Sequence, residues 1–547
     1  MMGVQLNEFV EHLRNNNFDV EIEEDKIKIF TNIEGIEVTL LCYLGDYFPY
    51  EIPKIFIDKE SKSKLPKMPH IYTDNSICIF DKSKVIPNFN EPSYLLLDTI
   101  KEAINVLKLG ITGKNKKDFI DEYLEYWSTN QLMKAQMFVE NVSIGKKIHC
   151  CFIKEKILIS DSNQRLKEIY EAIESESLGD QDIFEGIFIP VKCDEIDSIP
   201  QNDLDIVRMI NSYSDFNKLY DTFMQNHIDK TTLIVFNQII SGENMVAGWI
   251  HRGQCIPNGF RKGHVNLKVV FAKSDKKGAA VAIDNCHQNR LFTRGGDGTI
   301  SYWKKVGIIG CGSIGSFLAD ALKLSGVEKF VLVDNENLEY ENIARHSCGY
   351  NSVSYSKVID VGFHLQKWNP NITYEAYKEN AHSFVEEKLT VINGCDVLFV
   401  AVASVAVEHH INKLILEHKI NIPIVYIWVE PYCLGGHALL VKKPQDLYKE
   451  IFDELTFEYK YCIVNEASDY LKREAGCQST YMPYSGFMLQ QFIYRIVDCI
   501  MTKCWNKKGN FRLTWCGKLS EAKNFSVKIR NEYENVEDYS LILKRID

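Results

Sequence analysis

The sequence predicts a multidomain α/β protein. An α+β domain is expected over residues 1–135, an α/β linker domain over 136–288, and a doubly wound, Rossmann-type domain over 289–547. Three observations carry this. The length of 547 residues exceeds the ~250–300 that one hydrophobic core fills. The texture of the chain changes twice, with no internal repeat and no low-complexity tract. The last segment alternates continuous apolar runs with helical stretches, the pattern of a parallel sheet covered on both faces.

The first region opens with an amphipathic helix carrying Phe9 and Leu13. Strand-like runs EIEEDKIKIF, GIEVTLLCYL and IPKIFI follow, then a proline-punctuated loop, then the helical patterns SYLLLDTIKEAINVL and KDFIDEYLEYW. That order reads as α+β. In the middle region KIHCCFI, IFEGIFIPV, TTLIVFNQII and VNLKVVFA read as strands and LKEIYEAI as a helix. It carries no recognisable motif and reads as a connector. In the last region KKVGIIG, KFVLVD, DVLFVAVA and IPIVYIWV are the buried strands.

Composition removes several function classes. Hydrophobic residues make up 45% and charged residues 25%, which argues against disorder. The net charge of -11 argues against general nucleic-acid binding. No apolar run approaches the ~20 residues of a membrane helix. The start, MMGVQLNEFVEHL, lacks a signal peptide's basic region, so a cytoplasmic location is expected. The 16 cysteines include no CxxC pair, so they read as reduced thiols rather than as a disulfide framework or a zinc site.

The run VGIIGCGSIGSFLADAL places Gly310, Gly312 and Gly315 in G-x-G-x-x-G spacing between a strand and a helix. The glycines permit a tight turn and close approach of phosphate, and the helix N-terminus offers unpaired N–H groups. Asp334 ends the next strand, where it can accept from ribose hydroxyls. A dinucleotide dehydrogenase and an ATP enzyme both fit so far. The continuation NENLEYENIARH sets Asn342 and Arg345 one turn apart, and Lys357 follows. This cluster suits charge building on phosphoryl oxygens, and hydride transfer has no need of it.

These residues resemble the ThiF and ubiquitin-activating-enzyme superfamily, whose pattern is acid-x-acid, Asn-Leu-x-Arg-Gln, then lysine. Here the second acid is Glu336, the leucine is Ile343 and the glutamine is His346; Asn369 and Pro370 match the segment after the lysine helix. The resemblance implies ATP as substrate, with Gly310, Gly312, Gly315, Asp334, Glu336, Asn342, Arg345 and Lys357 binding it and Arg345 and Lys357 acting in catalysis. It also implies magnesium. The family's metal-holding aspartate falls at Ala403, beside Ser404, and Asp396 begins the strand too far away, so the metal ligands stay unassigned.

Two cysteines are candidate nucleophiles. Cys477 lies in REAGCQSTYMPYSG, before an amphipathic helix, and resembles the thioester cysteine of ubiquitin-activating enzymes. Cys433, in VEPYCLGGHALL, competes with it, with Glu430, Gly435, Gly436 and His437 expected to line a pocket. Cys78, in HIYTDNSICIF, follows FPYEIP and resembles the acyl-carrying cysteine of the ubiquitin-conjugating fold, with His70 as its loop histidine. The family's His-Pro-Asn is His70-Ile71-Tyr72 here, so Asn75 or backbone N–H groups are expected to replace the asparagine.

Conjugating module first, linker, then activating module: the whole resembles the CD-NTase-associated proteins of bacterial CBASS antiphage operons, of the Cap-two class. The resemblance implies that the C-terminal carboxylate of a cGAS-like nucleotidyltransferase (CD-NTase) is adenylated and carried on Cys477, then Cys78, to a target amine, by a homodimer. A ThiF/MoeB-type sulfur-carrier activator, an NAD-dependent oxidoreductase and a non-catalytic nucleotide-binding scaffold are the alternatives.

Overall fold

The computed structural model describes residues 2–546 except 67, 73, 81–85, 116–117, 119–126, 128–130, 141–142, 193–199, 241–242, 257, 273–276, 403, 445–450, 454, 457 and 474–479. The chain divides into two compact units. One comprises Met1–Leu166 and Gly179–Asn285, the other Lys167–Leu178 and Cys286–Asp547.

The first unit contains an antiparallel four-stranded sheet in the order β1 (Asp19–Glu23), β2 (Lys26–Ile33), β3 (Ile36–Tyr43), β4 (Lys54–Ile57). Alternation in β2 and β3 turns Ile27, Ile29, Val38, Leu40 and Cys42 inward. They pack against Leu96, Ile100, Ala103 and Leu107 of the helix Pro92–Ile111 and Val10 and Leu13 of the helix Met2–Asn15.

The same unit holds a closed seven-stranded barrel. Its strands are β5 (Gln131–Phe138), β6 (Lys146–Ile153), β7 (Lys156–Ser160), β8 (Ile183–Lys192), β9 (Thr232–Ile240), β10 (Glu243–His251) and β11 (Ala279–Asn285), in the order β10-β11-β5-β7-β6-β8-β9. Alternate residues of β8 serve two cores. Phe188 points into the barrel, while Ile187 and Ile189 pack under the helices Asp203–Tyr213 and Asn217–His227. Of the expected middle strands, VNLKVVFA is not one. Leu267–Ala272 is a short helix whose Leu267, Val270 and Phe271 are buried at i, i+3, i+4.

The second unit is built on an eight-stranded mixed sheet. Five parallel strands run in the order β14 (Thr373–Tyr377), β13 (Lys329–Val333), β12 (Lys305–Ile309), β15 (Val397–Val400), β16 (Ile424–Val429). Antiparallel β17 (Gly435–Val441), β20 (Asn510–Cys516) and β21 (Leu541–Ile546) extend one edge, and β18 (Lys472–Arg473) pairs with β19 (Thr480–Tyr481) apart from the sheet. One face is covered by the helices Ser313–Leu324, Lys357–Trp368 and Gly486–Cys499, the other by Ala381–Glu387 and Val405–Leu416. The strand order reverses between β12 and β15. Ligands of doubly wound sheets sit at that switch point, outside the carboxyl ends of the strands.

Candidate functional site

The glycine loop leaves β12 at the switch point. Gly310 takes φ +92°, and a Cβ there would lie 2.8 Å from the carbonyl oxygen of Ala401. A Cβ on Gly315 would collide with the Gly310 carbonyl oxygen, so the first turn of the helix can lie on the loop only without a side chain. At Gly312 a Cβ would meet nothing within 4 Å, and the space over the helix N-terminus is open. That combination of tight backbone and open space fits an anion approaching the helix N-terminus.

Side chains tie the neighbouring segments to this loop. Asp334 accepts from the Cys311 N–H at 2.8 Å with one oxygen and from the Glu336 N–H at 2.8 Å with the other. His346 is buried, accepts from the Cys348 N–H at 3.0 Å through Nδ1, and donates from Nε2 to the Cys311 carbonyl at 2.9 Å. That pattern requires the neutral Nε2–H tautomer. Burial holds its pKa below the ordinary histidine value.

Glu336, Asn342 and Lys357 meet in one cleft of about 360 Å³, with Asn335, Asn337, Glu339 and Lys378. Lys357, only 7% exposed at its side chain, reaches Glu336 Oε2 at 2.5 Å. Asn342, expected to bind ATP, accepts from the Glu339 N–H at 3.1 Å through Oδ1 and closes the capping box of the 3₁₀ turn Tyr340–Arg345. Arg345 does not line this cleft. Its Nη1 donates to the Met482 carbonyl at 3.1 Å, and its guanidinium carbon lies 4.8 Å from the Tyr484 ring centre. Asp396 lies at the opposite end of the sheet, where its Oδ2 accepts from the Lys304 and Lys305 N–H groups at 2.6 and 2.9 Å. Ala403 and Cys477 lie outside the described residues.

Around Cys433 the expected pocket-lining residues Glu430, Gly435, Gly436 and His437 are all four buried. Glu430 accepts from His437 Nε2 at 2.5 Å and from the Ile463 and Val464 N–H groups at 2.8 and 2.6 Å, so its charge is spent on internal donors. Cys433 is fully buried at a left-handed φ of +52°, and burial pushes its thiol up to about 12. A thiol so held offers almost no thiolate at neutral pH.

In the first unit Cys78 ends a small hairpin. Ile71 bridges Ile77, the Tyr72 N–H donates to Ser76 O at 2.9 Å, and the Cys78 N–H donates to His70 O at 2.8 Å. His70 and Cys78 are thus cross-strand partners. The bridge Phe56↔Ser76 fastens the hairpin to β4. Ile77 is buried while Cys78 is half-exposed. His70 Nε2 pairs with Asp118 Oδ2 at 2.9 Å, a partner the sequence reading did not single out. Asn75 sits in the hairpin turn at φ +68°; with Asp74 it lines a cleft of about 780 Å³ against β3 and β4, and Cys78 is not among the lining residues.

Residues 291–511 match the ThiF family, and residues 8–136 match the Prokaryotic E2 family B. The chain joins a Prokaryotic E2 family B domain to a ThiF family domain. Among curated proteins, this E2–ThiF fusion is 23% identical over 185 residues to the ATP-dependent ubiquitin transferase-like protein Cap2 of Pseudomonas aeruginosa, covering 33% of this chain and 32% of that protein. It is 32% identical over 97 residues to the Cap2 protein of Enterobacter hormaechei, covering 18% and 16%. With the ubiquitin-like modifier-activating enzyme 5 of Bombyx mori it shares 34% over 77 residues, 14% and 20% of the two chains. The matched stretches thus span a third or less of each relative's own length. No helix among the described residues is long and apolar enough to cross a membrane.

Proposed function

We propose that the chain is an ATP-dependent ubiquitin-transferase-like enzyme of the Cap2 kind. It adenylates the C-terminal carboxylate of a partner protein and passes the acyl group from Cys477 to Cys78 and on to an amine. The observation that carries this is the union in one polypeptide of a ThiF family match and a Prokaryotic E2 family B match that contains Cys78. Neither a sulfur-carrier activator nor a bare nucleotide scaffold has a use for the second domain.

On this reading ATP lies over Gly310–Gly315, with its ribose toward Asp334 and its phosphates toward Lys357 and Arg345. Magnesium travels with the triphosphate. The partner's carboxylate oxygen attacks the α-phosphorus, the bond to pyrophosphate breaks, and the cationic side chains hold the charge that builds on the phosphoryl oxygens. The Cys477 thiolate then displaces AMP from the acyl carbon. Exchange onto the Cys78 thiol is nearly isoenergetic, so the shared chain contributes effective concentration rather than driving force. The partner is a cGAS-like CD-NTase in a cytoplasmic antiphage system. The match to the ThiF family supports a homodimer; a 63.1 kDa species by light scattering at micromolar concentration removes that element.

Non-reducing gels of the chain with ATP and the CD-NTase test the relay. Cys78→Ala stalls the acyl group on Cys477, Cys477→Ala loads neither cysteine, and both lose transfer to the amine. Loading of Cys78 at the wild-type rate in Cys477→Ala overturns the proposed order.

A further inference from the structure

Arg345 is held by a segment remote in sequence. Besides the Met482 carbonyl and the Tyr484 ring, the helix start packs on its backbone: a Cβ on Gly486 would lie 2.6 Å from the Ala344 carbonyl oxygen and 3.1 Å from Arg345 Cα. The segment 482–486 is itself fastened on its other side. Pro483 O accepts from the Tyr432 N–H at 2.6 Å, and the Tyr432 ring stacks on Phe525 at 4.4 Å. Ser485 caps the helix Gly486–Cys499 by accepting from the Phe487 N–H at 3.2 Å. Just before it in the chain, the pairs Lys472↔Tyr481 and Arg473↔Thr480 bracket the segment that contains Cys477.

A guanidinium has five N–H donors in a planar fork, and its stem is flexible. Here one donor is spent on Met482, and Nε is buried with no hydrogen-bond partner among the described residues. A ring face beneath the fork fixes its plane without consuming donors, which leaves the remaining N–H groups for an anion.

We propose that Met482 and Tyr484 are positioning residues that orient Arg345 toward the nucleotide phosphates, so that the segment following Cys477 sets the geometry of the phosphate contact. This rests on the reading of the ThiF domain as an ATP site. Fixing the fork before the nucleotide arrives removes the cost of ordering a long side chain on binding.

Equilibrium binding of ATP and of adenosine to the full chain tests it, because adenosine lacks the phosphates. Tyr484→Leu keeps apolar bulk and removes the ring. It weakens ATP binding by up to about tenfold, the cost of ordering one long side chain on binding, and leaves adenosine binding within about twofold. Tyr484→Phe keeps the ring face and binds ATP within about twofold of wild type. In an Arg345→Ala background, Tyr484→Leu adds less than about twofold to the loss of ATP affinity. Thermal melts of each variant accompany the titrations. An unchanged ATP affinity in Tyr484→Leu overturns the proposal, as does a loss that persists in the Arg345→Ala background, which marks the ring as packing alone. Wild-type protein that binds ATP no more tightly than adenosine overturns the ATP-site reading and this inference with it.

Discussion

The glycine-loop region and the Cys78 hairpin are built in opposite ways. Around the loop, side chains hold the backbone: Asp334, His346 and Asn342 each spend their polar atoms on main-chain groups of neighbouring segments. Around Cys78, backbone holds backbone, through the Cys78–His70 and Tyr72–Ser76 hydrogen bonds and the bridge to β4. The side chains of Cys78 and His70 are left partly open. A polyanion site needs donors fixed before the ligand arrives, because reorganisation subtracts from what the charges deliver. A thiol that accepts from one protein and gives to another needs access on a rigid stub.

The largest effect separating the two regions is expected at Lys357. Lys357→Met removes the buried one of the two lysines lining the cleft and lowers partner-dependent exchange of pyrophosphate into ATP by about 10²–10³-fold. Discharge of a preformed Cys78 thioester stays unchanged. An exchange rate within about threefold of wild type would show that the cleft is not where charge develops.

A smaller effect is expected on the other side. Asp118→Asn leaves His70 without its carboxylate partner. If the pair takes the proton from the attacking amine, discharge of the Cys78 thioester to free lysine slows on the order of 10–10²-fold at neutral pH, while loading of Cys78 is unaffected. Equal discharge rates assign Asp118 a purely structural part.

The smallest effect concerns stability and belongs to the ThiF-matching region alone. Glu408, 6% exposed on the helix that follows β15, has its carboxyl pushed up to about 7 by burial. The folded chain therefore keeps a proton that the unfolded chain releases near the ordinary value of 4.5. Stability contributed by that proton is full below 4.5 and is lost as pH rises toward about 7. Glu408→Gln flattens this slope and stabilises the domain at pH 8 by on the order of 3 kcal/mol. Urea melts at pH 5 and pH 8 measure it, and equal gains at both sink the assignment.

What was legible in the sequence was what is local. Parallel strands announce themselves as apolar runs, and Gly310, Gly312 and Gly315 are spaced by the turn they make. His70 and Cys78 stand in one short stretch, although the hairpin that pairs them comes from the structure. Closure of the barrel depends on strand pairs distant in sequence, and there the short VNLKVVFA run was misassigned because six or eight apolar residues fit either period. The contact of Arg345 with Met482 spans 137 positions, and that of His70 with Asp118 spans 48; no periodicity encodes either. Glu430 and His437 stand beside glycines, and nothing in that stretch marks them as buried. Burial is decided by what the rest of the chain puts on top of them.

The antiparallel pairing of β17 with β20 joins Gly435–Cys516 to Leu440–Phe511. Everything from 442 to 509 is therefore an excursion between two neighbouring strands, and Cys477 lies inside it. Both ends of that excursion are clamped: β17 by β16 and β20, and the returning helix Gly486–Cys499 by the core under the sheet. A single cut in the backbone between the two clamps leaves two fragments gripped by the same ladder. A nick in the segment that contains Cys477 therefore leaves the β17–β20 ladder paired, and the two pieces stay together as one folded unit.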